Sequence, residues 1–178
     1  MDLSLPAHAV PRDPGITADE LARRYAAPVH RFAAMVSRGD QDSADLAQEA
    51  LVRAIRALDR FDPARGSIES WLWRIVVNCA HDAGRLSRRR RFLLVRLQQE
   101  PPTIPNAEAA ALQEIADSEL LSLVRALPQR YRTLIALRFG AGLPFSEIGR
   151  QLGTTDRAAV MATRRALAQL RLALEERR

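Results

Sequence analysis

A proline-rich break divides this chain into two stretches that each carry a helical pattern. Residues 98–106 read QQEPPTIPN and cannot continue a helix, because proline lacks a backbone N–H and disfavours helical geometry in the residue before it. Apolar residues recur every three or four positions on both sides of the break, and no convincing strand pattern of period two occurs. The sequence therefore predicts an all-α fold of two small helical domains joined by a flexible linker.

The same patterns predict where the domains begin and end. Residues 1–17 hold three prolines and one glycine without an apolar period, which is typical of a disordered leader. We predict a first domain over residues 18–92, a linker over 93–118 and a second domain over 119–178. Pro28 should kink or break the opening helix of the first domain, and further helices should span residues 42–58 and 68–86.

Charge is distributed unevenly along the 178-residue chain, whose net charge is +6. Residues 85–91 carry five arginines and no acid, and residues 130–178 carry ten arginines against four acids. Basic segments favour polyanions such as nucleic acids. Residues 92–129 carry five acids against two arginines, and this connector would avoid a polyanion or occupy a positively charged channel.

Several functional classes find no support in the sequence. No apolar run approaches the roughly 20 residues that span a bilayer, and the N-terminus does not resemble a secretion signal. The single cysteine, Cys79, supports neither a disulfide framework nor a zinc site. His8, His30 and His81 have no metal-ligating neighbours at the usual spacing, and no phosphate-binding glycine loop or nucleophile elbow occurs. We expect a cytoplasmic protein that is not an enzyme and uses no metal or cofactor.

Residues 60–91 combine both tryptophans, an Asp-Pro and Arg-Gly turn and a run of arginines. A cationic track can hold a nucleic-acid backbone, and flat aromatic faces beside a loop can receive unstacked bases. We expect Ser67 to cap the helix after the turn, with Leu72 on its core face and Arg74 on the other side. Because tryptophans are more often core residues, at least one of Trp71 and Trp73 should pack inside.

Residues 146–156 predict a helix-turn-helix. Gly149 permits close approach of two helices, and Gly153 suits the left-handed conformation that ends the first of them. Thr155 or Asp156 can cap the second helix, whose first residues would enter a DNA major groove. An ordinary helical hairpin shows the same pattern, but the surrounding arginines favour DNA binding.

Two ordered sets of motifs resemble those of bacterial RNA polymerase sigma factors of the compact extracytoplasmic-function group. The first set reads DSADLAQE at 42–49, FDPARGS at 61–67 and WLWRI at 71–75, followed by Asn78 and Asp82. The second set reads LPQR at 127–130, LR at 137–138 and EIGRQLG at 147–153. Either set alone is suggestive, whereas both in this order in one short chain are highly specific.

The resemblance implies a dissociable sigma factor that binds core RNA polymerase, directs it to promoter DNA and helps to melt that DNA. Members of this family commonly bind an anti-sigma factor, which is therefore a further expected partner. The implied contacts with the polymerase clamp are Asp45, Leu46, Gln48, Glu49 and Arg53. The implied contacts with the −10 element are Arg60, Phe61, Ser67, Trp71, Arg74, Asn78, Arg85 and Arg88. The implied contacts with the −35 element are Thr154, Thr155, Arg157, Val160, Arg164, Arg165 and Arg171.

The start of the closing helix departs from the family pattern. Relatives usually carry a polar string there, whereas residues 158–162 of this chain read AAVMA. Short apolar side chains can contact a thymine methyl group but cannot make the bidentate guanine contacts worth ~1–3 kcal/mol each. An alternative function is therefore a sigma-like interaction module that binds polymerase or an anti-sigma partner with weak or no selective −35 recognition.

Overall fold

The computed structural model describes residues 16–96 and 114–176, and these residues form seven α-helices and no strand. The all-α prediction is confirmed. Residues 1–15 of the predicted leader and 97–113 of the predicted linker lie outside the described residues. The helices are α1 (Ala18–Val36), α2 (Asp40–Ala57), α3 (Ile68–Arg96), α4 (Glu114–Ala126), α5 (Gln129–Ile135), α6 (Phe145–Leu152) and α7 (Asp156–Glu175). Within these two ranges, none of the helices combines the length and the hydropathy of a membrane span.

Helix α1 begins with a reciprocal cap. The Thr17 hydroxyl accepts a hydrogen bond from the Glu20 backbone N–H at 3.2 Å, and the Glu20 carboxylate accepts one from the Thr17 backbone N–H at 2.8 Å. The backbone hydrogen bond from Thr17 lowers the pKa of the Glu20 carboxyl group. Pro28 lies inside the helix without ending it, so of the predicted kink or break the break is wrong, and the kink stays a prediction. A helix anchored by a cap and by tertiary packing tolerates the single N–H that proline removes.

The first domain packs α1, α2 and α3 around two aromatic rings. Trp73 and Phe32 are fully buried and meet edge to face, with ring centroids 5.6 Å apart. Helix α2 presents small side chains to this core, among them Ala50 and Ala54, so its backbone can approach closely. Ile55 is 38% exposed, because its neighbour Ala54 occupies the inward position.

The second domain packs α4 to α7, and a buried arginine joins two of these helices. Arg132 is 4% exposed and donates hydrogen bonds to the carbonyl oxygens of Arg125 at 2.9 Å and Leu127 at 3.3 Å. These carbonyls lie at the C-terminal end of α4, where a positive charge is favoured by the helix dipole. Burial lowers the pKa of the Arg132 guanidinium, since desolvation disfavours its charged form.

The two domains share one hydrophobic core. Leu137, Leu143 and Ile148 of the second domain belong to the same buried cluster as Phe32 and Trp73 of the first. The contact is close at Gly140, where a Cβ atom would lie 3.3 Å from the backbone nitrogen of Phe32. Gly140 ends a short π-helical turn, Ala136–Gly140, which continues α5 and packs against α1. The two domains therefore contact each other directly.

Candidate nucleic-acid interface

The turn between α2 and α3 is built from local hydrogen bonds. The Asp62 carboxylate accepts a hydrogen bond from the Ala64 backbone N–H at 3.0 Å, which supports the 3₁₀ turn Pro63–Arg65. Gly66 follows with φ +147°, a conformation that L side chains rarely adopt. The Ser67 hydroxyl then accepts a hydrogen bond from the Ser70 backbone N–H at 3.1 Å, so the predicted cap of α3 is confirmed.

The two tryptophans have different environments. Trp73 is wholly buried, whereas Trp71 is half-buried at the surface and packs beside Phe61 of the turn. The Phe61 and Trp71 ring centroids are 5.6 Å apart and the rings are tilted by 57°. The expectation that one tryptophan packs inside is confirmed for Trp73. Trp71, near the N-terminal end of α3, and Phe61 of the preceding turn therefore form an aromatic pair.

Polar and cationic side chains continue from this aromatic pair along α3. Arg74 and Asn78 are exposed on the helix, and Arg85 is exposed further along and pairs with Asp82. Arg60 and Ser67 are exposed in and beside the turn. The side chain of Arg88 lies outside the described residues. The described residues predicted to contact the −10 element thus lie on the turn and on one continuous helix.

The helix-turn-helix has the predicted turn. Gly153 adopts the left-handed conformation with φ 63° and ψ 37° at the end of α6. A Cβ atom on Gly149 would lie 2.8 Å from the carbonyl oxygen of Thr154, so only glycine fits there without a shift. Thr155 caps α7, because its hydroxyl accepts a hydrogen bond from the Ala158 backbone N–H at 3.2 Å.

Helix α7 exposes four arginines together with large apolar side chains such as Met161 and Leu172. Val160 is half-buried, and Ala159 and Ala162 are buried at 1% and 6% exposure. Two of the short side chains in the AAVMA segment therefore serve the core, whereas Ala158 and Met161 are exposed. The exposed residues predicted to contact the −35 element are Thr154, Thr155, Arg157, Arg164, Arg165 and Arg171.

The predicted polymerase-binding residues lie on α2. Asp45, Gln48, Glu49 and Arg53 are exposed, but Leu46 is only 5% exposed and belongs to the core. Leu46 therefore cannot present its side chain to a partner in this conformation, because α2 turns it towards the first-domain core.

An ion-pair network joins the exposed side of α2 to α3. Arg53 bridges Glu49 at 2.5 Å and Asp82 of α3 at 3.3 Å. The Glu49 hydrogen bond raises the pKa of Arg53. All three side chains are about half exposed, so the network orients them more than it stabilises the fold.

The described residues contain no group of three or more histidine, cysteine or acidic side chains placed to hold a metal ion. Cys79 lies in the first-domain core, and burial raises the pKa of its thiol. We expect the native chain to react with iodoacetamide at pH 8 at least about 100-fold more slowly than the urea-unfolded chain, because the thiol is buried and its raised pKa disfavours the reactive thiolate. Mass spectrometry of the alkylated protein measures this ratio, and equal rates in the two states would contradict the buried position.

Four polar side chains at the domain boundary were not predicted. Glu147 is only 6% exposed and accepts a hydrogen bond from the Ser70 hydroxyl at 2.7 Å. Arg125 donates to the carbonyl oxygen of Ala34 at 3.0 Å and pairs with Asp40 at 2.7 Å. Gln151 and Arg31 also donate hydrogen bonds across the boundary. No local pattern reveals them, because their partners are between 77 and 109 residues away in sequence.

Comparison with protein families gives two matches in the same order as the motifs. The family model for sigma-70 region 2 matches residues 21–92, and the model for sigma-70 region 4 matches residues 123–172. The first match contains the turn and the exposed side of α3. The second match contains the helix-turn-helix.

Individual relatives agree with the family models. The ECF RNA polymerase sigma factor SigE of Mycolicibacterium smegmatis is 33% identical over 139 residues, which cover 76% of this chain and 52% of SigE. SigM of Mycobacterium tuberculosis is 32% identical over 154 residues, which cover 85% of this chain and 74% of SigM. The chain therefore spans about half the length of one relative and about three quarters of the other.

Two solved structures share the fold. CnrH in complex with the cytosolic domain of CnrY is 26% identical, with a TM-score of 0.62 over 89% of this chain and 88% of CnrH. The sigma factor RpoE in complex with the anti-sigma factor NepR from Bartonella quintana is 22% identical, with a TM-score of 0.65 over 90% of this chain and 97% of that one. At 22% identity the second likeness is one of fold alone.

Proposed function

Because this chain belongs to the sigma-70 family, in its extracytoplasmic-function group, we propose that it is a sigma factor that binds core RNA polymerase, directs it to specific promoters and assists DNA melting. The observation that carries the proposal is the pairing of two surfaces in one chain. An aromatic pair lies beside an exposed basic helix face in the first domain, and an arginine-rich helix-turn-helix lies in the second. In this proposal the domains are residues 18–92 and 119–178, joined by residues 93–118.

Melting of the −10 element is assigned to the turn and α3. A base that leaves the DNA stack needs a flat partner and a nearby cation to hold its phosphate. Trp71 and Phe61 supply aromatic faces at the surface, and Arg74 lies one helical turn beyond Trp71. The hydrogen bond to the Asp62 carboxylate and the positive φ of Gly66 fix the backbone of the turn. The aromatic pair is therefore already positioned in the free protein, before DNA binds.

Binding of the −35 element is assigned to α7. Its capped N-terminus can enter a major groove, and its exposed arginines can contact phosphates on both sides. Val160 and Met161 lie where they could contact a thymine methyl group. We expect base discrimination here to depend more on apolar contact and DNA shape than on guanine recognition.

Polymerase binding is assigned to the exposed side of α2. Asp45, Gln48 and Glu49 form an acidic and polar surface, and Arg53 is held among them by its ion pairs. Leu46 packs in the core beneath this surface. Both structural relatives are described in complexes, CnrH with CnrY and RpoE with the anti-sigma factor NepR, and we propose an anti-sigma partner for this chain as well. Acting with polymerase, the chain would work in the cytoplasm and would catalyse no reaction alone.

Replacing Trp71 with alanine is the direct test of the melting assignment. Loss of stacking worth ~1–3 kcal/mol per base should lower open-complex formation about 5- to 150-fold while leaving binding to core polymerase within about 2-fold. Permanganate reactivity of unpaired thymines measures melting, and co-purification with core polymerase measures binding. Trp71→Phe, which keeps a flat ring, should recover most of the reactivity. Unchanged reactivity in the folded Trp71→Ala variant would refute the assignment.

A second candidate function rests on the apolar start of α7. Ala158 and Met161 are exposed where relatives usually carry polar side chains, which fits a regulator that binds polymerase or an anti-sigma partner without selective −35 recognition. Run-off transcription with purified core polymerase separates the two functions. Promoter-dependent transcripts support the sigma factor, and core binding without such transcripts supports the regulator.

A further inference from the structure

Four charged side chains of alternating sign form a row that runs from α2 to α3. This charged row consists of Glu49 and Arg53 on α2 and of Asp82 and Arg85 on α3. Arg53 pairs with both Glu49 and Asp82, and Asp82 also pairs with Arg85. The two residues on α2 are assigned to polymerase, and Arg85 is assigned to the −10 element. The row therefore connects the surfaces for two different partners through Asp82, which neither assignment includes.

The contacts within the charged row are not equal. The Arg53 Nε atom lies 2.5 Å from a carboxylate oxygen of Glu49, whereas the Arg53 Nη1 atom lies 3.3 Å from Oδ2 of Asp82. The hydrogen bond with Glu49 also contributes most to the raised pKa of Arg53. Asp82 makes its closer contact with Arg85, through Oδ1. In the free chain, Arg53 is therefore held mainly by Glu49, and Asp82 mainly neutralises Arg85.

A partner that engages Glu49 would shift these contacts in one direction. A cation placed against the Glu49 carboxylate competes with Arg53, and Arg53 can then move towards Asp82, the other carboxylate within 4 Å of it. Once Arg53 neutralises Asp82, that carboxylate attracts Arg85 less strongly. The Arg85 guanidinium becomes available for a DNA phosphate, and the negative charge that would repel the phosphate is reduced.

We propose that Arg53 and Asp82 are positioning residues, which link the engagement of Glu49 by polymerase to the binding of a DNA phosphate by Arg85. The inference rests on the proposed function, because that function assigns Glu49 to polymerase and Arg85 to DNA. The link is reciprocal, so DNA bound at Arg85 strengthens the engagement of Glu49 by the same factor. All four side chains are about half exposed or more, and such ion pairs are individually weak. The expected coupling is therefore about 1.5- to 5-fold in affinity.

Glu49→Gln imitates the engaged state without polymerase, because an uncharged amide no longer attracts Arg53 as a carboxylate does. Full-length chains are titrated at about 50 mM salt against a fluorescent single strand of about 12 thymidines, and anisotropy gives the affinity. Asp42→Asn is the matched control, because Asp42 is exposed on the same side of α2 and its substitution removes the same charge outside the charged row. Glu49→Gln should raise the affinity about 1.5- to 5-fold more than Asp42→Asn does, with unchanged helical circular dichroism.

The extra gain of Glu49→Gln over Asp42→Asn should disappear when the charged row is interrupted. It is measured again in chains that carry Arg53→Ala, Asp82→Asn or Arg85→Ala, as double-mutant cycles. An extra gain that vanishes in all three backgrounds supports the link. If folded chains show no extra gain, or if it persists in any of the three backgrounds, the link is overturned. Oligonucleotide binding is measured without polymerase, so a chain that shows the link yet drives no promoter-dependent transcription would refute the proposed function and not the link.

Discussion

Promoter binding by the polymerase complex should weaken steeply with salt, and removing two arginines from α7 should make this dependence shallower. With about six phosphate contacts, affinity is expected to fall on the order of 10³-fold between about 50 and about 200 mM salt, because each contact releases counterions from the DNA. The described exposed arginines assigned to DNA are Arg60, Arg74, Arg85, Arg157, Arg164, Arg165 and Arg171. Arg85 and Arg171 pair with Asp82 and Glu175, so the remaining five are the most available for phosphates.

The double variant Arg164→Ala with Arg165→Ala isolates the contribution of α7. Its slope of log affinity against log salt should be smaller by about 1.8, since each phosphate contact contributes about 0.9. Arg56→Ala is the control, because Arg56 is also exposed but lies on α2, outside the DNA assignment. Fluorescence anisotropy of a labelled promoter at five salt concentrations gives the slopes. A double variant with the wild-type slope would remove α7 from the set of phosphate contacts.

The local architecture of the site could be predicted because each part depends on neighbouring residues. The Ser67 cap, the left-handed Gly153 and the Thr155 cap are all encoded within four residues of the groups they satisfy. The sequence left open which of the two tryptophans is buried, and the structure buries Trp73. Trp73 shares its helical spacing with buried Val76 and Ala80, while Trp71 shares its spacing with exposed residues such as Arg74.

The contact between the domains could not be predicted from the same patterns. Leu134, Leu137 and Ile148 lie among apolar residues at helical spacing, but periodicity does not say which element covers them. Helix α1 of the first domain packs against part of these apolar residues through Phe32. No sequence pattern predicts that Glu147 is buried. A glutamate on a short helix is normally solvated, and its partner Ser70 is 77 residues away. Long-range polar contacts of this kind follow from the assembled fold.

Trp73→Ala should lower the free energy of unfolding far more than Trp71→Ala does. Trp73 is completely buried and packs edge to face on Phe32, and truncating such a side chain costs about 3–5 kcal/mol. The ratio of folded to unfolded chains should fall by a factor of about 150 to 5000. Since Phe32 also adjoins Gly140, the cavity left by Trp73 lies close to the contact between the domains. Urea unfolding followed by circular dichroism at 222 nm measures the change.

Trp71→Ala and Trp73→Phe give the matched comparisons for this measurement. Trp71 is only half-buried, so its loss should cost less than about 1.5 kcal/mol even though it impairs melting. Trp73→Phe keeps a ring in the core and removes an indole N–H that has no hydrogen-bond partner, so its cost should lie between those of the two alanine variants. If Trp71→Ala and Trp73→Ala unfolded at the same urea concentration, the division into one structural and one DNA-facing tryptophan would be wrong. A large loss of stability in Trp73→Ala alone, with a loss of melting in Trp71→Ala alone, would assign the fold and the function to side chains only two positions apart.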